Sequence, residues 1–239
     1  MPIYLSASSI NDFVRCPQKV LYRFKKTVPA EVSKDMVAGE VIHYVIEKGW
    51  NNREKAKSIL DNEVKVRDLR KADATNLSFM LDIFFLNFAG LLGEKDLIEY
   101  NFKIPLYDDV FIVGKIDRIY RGNVLDWKSS AKLPSRLDND IQCIIYDWAF
   151  KRIFGNHPAS LCVAGLSTGQ LIPFVRNDFY VREVFEKIIP RMIKAVRHDE
   201  YERLGMFNHS CFRCPWKTGC LQGSRGEERN VLDNSILAE

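Results

Sequence analysis

The sequence has no run long and apolar enough to cross a bilayer. Its most apolar stretch, Leu77 to Leu92, is interrupted by Asp82 and Asn87 and falls short of the roughly 20 residues a spanning helix needs, so it reads as a buried core helix. The opening residues, M-P-I-Y-L-S-A-S-S, lack the basic patch and apolar run of a secretory signal. Without an export route the expectation is a cytoplasmic protein with no membrane partner. Its six cysteines then read as metal ligands or buried thiols rather than disulfides. Internal repeats are also lacking. So is a strong excess of one charge: 35 Lys and Arg against 31 Asp and Glu leave +4, which permits a nucleic-acid partner without requiring one.

What is present is ordinary in bulk. With 239 residues, 46% hydrophobic and 28% charged, the chain can bury a sizeable core. Ser6 and Ser8 are candidate caps for a short helix through Phe13, which Cys16-Pro17 breaks before another over Gln18–Phe24. The polar stretch Thr27–Lys34 reads as a loop. Helical periods follow over Val37–Trp50, Arg53–Arg70 and Leu77–Leu92. Strand patterns cover Ile98–Leu106, Val110–Ile119, Val124–Ser129, Ser160–Leu166 and Leu171–Val175. Asp138 is the expected cap of an apolar helix over Ile141–Phe154. Asn177 or Asp178 caps a long last helix that Pro190 should kink. The expectation is an α/β protein: a helical lobe over 1–95, an α/β core over 96–200, and a cysteine loop over 201–222 that closes on Cys16. Residues 1–222 then form one domain, followed by a polar tail, 223–239, expected to be disordered.

The chain is organised around G-K-I-D-R-I-Y-R-G-N-V-L-D-W-K-S-S, from Gly114 to Ser130. This is a strand, a tight turn and a second strand. Residues two apart share a face, so Asp126 and Lys128 point the same way, and the turn brings Asp117 beside them. Two carboxylates and an ammonium on one side of a hairpin are costly in a structural sheet. They suit a divalent cation and a polarised water. Asp117 and Asp126 are hard oxygen donors for Mg²⁺ or Mn²⁺, and an imidazole from His43 would shift the preference toward Mn²⁺. Gln142 and Tyr146, four apart on a helix, share one polar face from which to bind a phosphate or brace the lysine.

The order Gly39/His43, Gly114/Ile116/Asp117, Asp126/Lys128, Gln142/Tyr146 resembles the PD-(D/E)XK nuclease superfamily, specifically its RecB-like branch. Ile116-Asp117 stands where the name of the superfamily has Pro-Asp, as is usual in that branch. The resemblance implies a restriction-endonuclease-like core, a mixed central sheet flanked by helices, with metal-dependent hydrolysis of phosphodiester bonds. It implies that His43, Asp117, Asp126 and the Trp127 backbone carbonyl bind Mn²⁺ or Mg²⁺. It also implies that Lys128 is the catalytic lysine, with Gln142 and Tyr146 in support. Glu99, on the first long strand, would assist only from outside the ligand set.

Near the C-terminus lies Cys211-x2-Cys214-x5-Cys220, with Cys16 almost a chain length away. Four thiolates satisfy either a structural Zn²⁺ or a [4Fe–4S] cluster. The pattern is similar to the iron–sulfur nucleases of the same branch, among them the CRISPR-associated exonuclease family and the AddB nuclease domain, where such cysteines staple the chain ends across a [4Fe–4S] cluster. No G-x-x-x-x-G-K-[ST] motor motif is present, which favours the free-standing CRISPR type. Cys143 and Cys162 lie in apolar segments and read as core.

Lys19, Arg23, Lys25 and Lys26, and Lys103, Lys115 and Arg118 around the hairpin, with Tyr22, Phe24, Phe212 and Trp216 among them, suit single-stranded DNA as well as they suit a solvated face. It is the resemblance that implies DNA, degraded as single strands from a free end, 5′ to 3′, in spacer integration or recombination. Two other readings remain open: a non-catalytic DNA-binding or assembly subunit of the same fold, and a zinc-binding nuclease-like module.

Overall fold

The computed structural model describes residues 2–26, 30–31, 34–130, 132–204, 208–212 and 214–220. The tail and most of the Thr27–Lys34 loop lie outside them. In chain order the elements are β1 (Ile3–Leu5), α1 (Ala7–Arg15), α2 (Pro17–Lys25), α3 (Lys34–Gly49), α4 (Arg53–Val66), α5 (Lys71–Asn87), β2 (Leu97–Tyr107), β3 (Val110–Tyr120), β4 (Asn123–Lys128), α6 (Ile141–Phe154), β5 (Leu161–Gly165), β6 (Leu171–Pro173), α7 (Asp178–Arg182) and α8 (Ile189–His198). None of the described helices is long and apolar enough to cross a membrane. The chain divides into two compact units, Met1–Ala7 with Lys34–Val184, and Ser8–Ser33 with Phe185–Glu239.

The first unit is built on a mixed six-stranded sheet. β2 runs antiparallel along β3 from Leu97↔Ile119 to Tyr107↔Val110. With that edge taken, β1 and β4 share the other: β1 pairs parallel with Val110–Ile112, and β4 antiparallel with Arg118–Tyr120. β5 lies parallel to β4, and β6 closes the sheet antiparallel to β5. The β3–β4 connection is a two-residue turn with Arg121 and Gly122 both at positive φ (45° and 77°), the geometry whose twist matches paired strands.

Alternation on β4 sorts its side chains. Leu125 and Trp127 join a buried cluster with Val41, Val45, Leu60, Leu77, Phe84 and others from α3, α4 and α5. The Trp127 indole packs edge-on to Phe84 at 5.5 Å. Asp126 and Lys128 take the opposite face, toward α6. Helix α6 packs on β2 through Phe102–Tyr146 and Tyr100–Phe154 ring contacts. At Gly114 a Cβ would run into the Phe102 ring, and at Gly39 it would meet Ser129 Oγ at 3.3 Å. Both glycines of the sequence pattern therefore allow close approach.

The second unit holds α1, α2, α8 and the cysteine segment. Ile10, Phe13, Val20, Ile189, Met192 and Trp216 are buried. Ser210 Oγ donates to the Arg15 carbonyl (3.1 Å), and Thr218 Oγ1 to Glu31 Oε1 (2.7 Å).

Four expectations change. β1 was not expected: three residues carry too little alternation to be seen, and their partner lies over a hundred residues away. The cap of α6 is Asp140, whose side chain accepts from Cys143 N (2.9 Å), while Asp138 pairs with Arg136 at 2.7 Å. Pro190 does not lie inside one long α-helix; it sits in the first turn of α8, preceded by a π-helical run, Glu183–Ile188, whose wider turns spare the clash a proline makes with the carbonyl four residues back. Arg118, grouped by sequence with the DNA-facing cations, is 2% exposed, paired with Asp96 at 3.0 Å and stacked on Trp50 at 4.4 Å.

Candidate active site

Helix α3 delivers His43 to the middle of the sheet. Its Nε2 lies 3.0 Å from the Trp127 carbonyl. A carbonyl only accepts, so Nε2 carries a proton and Nδ1 faces Asp117 Oδ1 at 3.5 Å. Burial lowers the imidazole pKa, but the hydrogen bond and charge of Asp117, with the charges of Asp126 and Glu99, outweigh it and leave a net rise. Asp117 is buried, and its Oδ2 accepts from the Trp127 backbone N–H at 2.8 Å.

Donor atoms of His43, Glu99 and Asp117 all lie within 4.8 Å of one another. Glu99 sits between the register pairs Ile98↔Arg118 and Tyr100↔Ile116, with φ at 50°, a left-handed conformation rare for a residue with a side chain and concentrated at functional sites. It also forms an ion pair with Lys115. Sequence reasoning left Glu99 outside the ligand set; the available signal was the one carboxylate on its strand. Asp126 is not part of this three-donor group, and the Trp127 carbonyl is turned to His43.

Asp126 instead faces Lys128 and α6. Its Oδ1 accepts from Gln142 Nε2 at 2.8 Å. Lys128 Nζ lies 2.7 Å from Oδ2, close enough to pair in charge but not aligned as a hydrogen bond, so Oδ2 is buried with no hydrogen-bond partner. Burial pushes the Asp126 carboxyl up to about 6 against the pull of Lys128. Lys128 is raised: Asp126 more than offsets the lowering by burial. The ammonium also donates to Gln142 Oε1 (2.5 Å). Gln142 Nε2 further donates to Tyr146 Oη (2.8 Å), which donates to the Lys115 carbonyl (2.6 Å). The Gln142 amide is thus oriented at both ends; of the pair expected to support the lysine, Gln142 touches it and Tyr146 reaches it only through Gln142. A cavity of about 610 Å³ opens beside His43, lined by Gly39, Tyr44, Glu47, Glu99, Lys115 and Ser129 among others.

In the second unit Cys16, Cys211, Cys214 and Cys220 all line one cavity of about 390 Å³, with Lys19, Tyr22, Arg203 and Lys217. Arg203 donates to Cys220 Sγ at 3.0 Å. Cys143 and Cys162 are buried in α6 and β5, as expected. The N-terminal basic run is largely engaged: Lys19 is buried, Arg23 pairs with Asp12, and Lys25 with Asp199.

Among known proteins, the family model of the PD-(D/E)XK nuclease superfamily matches residues 4–221. No curated protein matches the chain. The crystal structure of a protein from Eubacterium rectale, provisionally designated an exonuclease, aligns at a TM-score of 0.62 and 16% identity over 84% of each chain. The protein SSO0001 aligns at 0.44 and 16% identity over 90% of this chain and 84% of its own. At these identities the first likeness concerns the fold, and the second is too loose to build on.

Proposed function

The chain belongs to the PD-(D/E)XK nuclease superfamily, and from that premise we propose that it is a metal-dependent DNA exonuclease of the RecB-like, iron–sulfur kind, hydrolysing single strands 5′ to 3′. One observation carries the reading: the His43, Glu99 and Asp117 donors converge within 4.8 Å on the same sheet that holds an anchored lysine. The donor set fits Mn²⁺ or Mg²⁺, with two carboxylates and an imidazole, and Asp126 Oδ2, buried without a hydrogen bond, is paired in charge with Lys128 at 2.7 Å. His43, Glu99 and Asp117 would hold the cation, while Asp126 and the Trp127 carbonyl, engaged by Lys128 and His43, would border it. Such a cation supplies Lewis-acid activation of water and charge at the leaving oxygen.

The chain's own residues do the rest. Lys128, raised in pKa, keeps its proton at neutral pH, so it acts as a charged donor to phosphate or water rather than as a base. Gln142 and Asp126 hold the ammonium in place, and Tyr146 holds Gln142.

For the cysteines the reading is a structural [4Fe–4S] cluster on Cys16, Cys211, Cys214 and Cys220, within one nuclease domain over 1–222. What supports it is that all four cysteines line one cavity of about 390 Å³, a set of thiolates that suits either a cluster or a zinc ion. The setting is cytoplasmic, in spacer integration or recombination.

The test is digestion of linear, 5′-blocked and circular single strands with Mn²⁺, Mg²⁺ or chelator. The expected result is cation-dependent loss of the linear strand alone. Cleavage of circles would make it an endonuclease. No cation-dependent cleavage would leave a non-catalytic subunit and overturn the proposal.

A further inference from the structure

Beyond the cavity, the β1–β3–β2 end of the sheet has one buried face and one open face. On β3, Val110, Ile112 and Ile116 are buried, while Phe111 and Val113 are half-buried and Lys115 is exposed. On β2, Phe102 is buried and its neighbours Asn101 and Lys103 are exposed; on β1, Ile3 and Leu5 are buried and Tyr4 is 41% exposed. Register sets Tyr4 beside Phe111, Lys103 across from Val113, and Asn101 across from Lys115. Residues two apart share a face, so these side chains form one surface. It ends at Lys115, which lines the cavity with His43 and Glu99.

None of these positions is acidic. The Tyr4 and Phe111 rings stack at 5.6 Å and 24°. Lys103 Nζ lies 4.5 Å from the Phe111 centroid and 4.8 Å from that of Tyr4, and donates to Tyr4 Oη at 3.3 Å. The ammonium is therefore moored to the rings. Two aromatics and Lys103 on an open face, with Lys115 paired to Glu99 at its cavity end, suit a polyanion whose bases are free to stack. A duplex covers its base faces and gains nothing from the rings. From Lys115 to Phe111 the surface runs about 14 Å, room for several nucleotides.

Resting on the nuclease reading, we infer that this β1–β3–β2 face is the binding track for single-stranded DNA entering or leaving the cavity. Tyr4 and Phe111 stack a base, and Lys103 takes a phosphate. The test is fluorescence anisotropy of labelled dT12 with EDTA, so that nothing is cleaved, with thermal melts as the folding control. The double variant Tyr4→Leu/Phe111→Leu keeps apolar volume and loses the rings. It should weaken dT12 binding at least about fivefold while leaving an abasic 12-mer unaffected. Lys103→Gln should flatten the salt dependence by about 0.7 in log–log slope. With Mn²⁺, the double variant should cleave dT2 as wild type does but show a raised KM for dT12. If the double variant folds poorly, Tyr4→Leu alone, at an exposed position, carries the test. Variants that bind dT12 like wild type, or a wild type that prefers duplex or binds the abasic strand as tightly, overturn the track. A wild type that cleaves dT12 in either case leaves the nuclease reading standing; one that neither binds nor cleaves removes that reading itself.

Discussion

At the scale of single residues, Asp117 has one oxygen to give. Its Oδ2 is committed to the Trp127 N–H, so it would meet a cation through one atom, which suits the small octahedral ions over Ca²⁺ with its appetite for paired carboxylate oxygens. Glu99 supplies the second carboxylate of the cluster. Glu99→Gln should raise the Mn²⁺ concentration for half-maximal activity tenfold or more, read by titrating rate against Mn²⁺. Lys128→Ala should lower cleavage of single strands at least about a hundredfold and leave the visible spectrum unchanged. Asp126 gives a pH signature in cation-free protein. Its pKa is about 6 when folded, against an ordinary 3.8, so the folded state holds the proton more tightly. Stability is then lost as pH rises from about 4 to about 6 and is level above. Asp126→Asn removes that loss, so the variant's advantage in urea unfolding should grow across the window, on the order of 3 kcal/mol. That Asp126 and Lys128 share a face was legible because strand alternation dictates it; His43, on helix α3, entered through its place in the ordered motif. Glu99 and Arg118 were not: one depends on a local left-handed turn of backbone, the other on Asp96 and Trp50 reaching it from other segments.

At the scale of elements, the three long strands follow the sequence pattern to within one or two residues, because alternation over six to eleven residues leaves little choice of register. β1 escaped notice because its three residues become a strand only by lying along Val110–Ile112. Gly114 links element to site. Its missing side chain admits Phe102, which packs on Tyr146, the residue that orients Gln142. Gly114→Ala would force Phe102 aside. The expected loss is about 1–3 kcal/mol in denaturant unfolding, with a fall in kcat as the Tyr146–Gln142–Lys128 chain loosens.

At the scale of the whole molecule, Cys16 shares one cavity with Cys211, Cys214 and Cys220. Cys214→Ala should abolish broad visible absorption and lower the melting temperature of the as-isolated protein; a colourless wild type containing zinc would turn the assignment to a single ion. The two compact units also differ in how the chain supplies them. One is finished once Val184 has been made, since Met1–Ala7 comes first. The other draws on Ser8–Ser33 and on residues after Phe185, so its early helices must wait for the last part of the chain. During synthesis, therefore, the sheet can mature on the ribosome while α1 and α2 stay unpartnered. The cavity that Cys16 shares with Cys211, Cys214 and Cys220 is therefore completed late, so any metal it takes would enter only once Cys220 has been made.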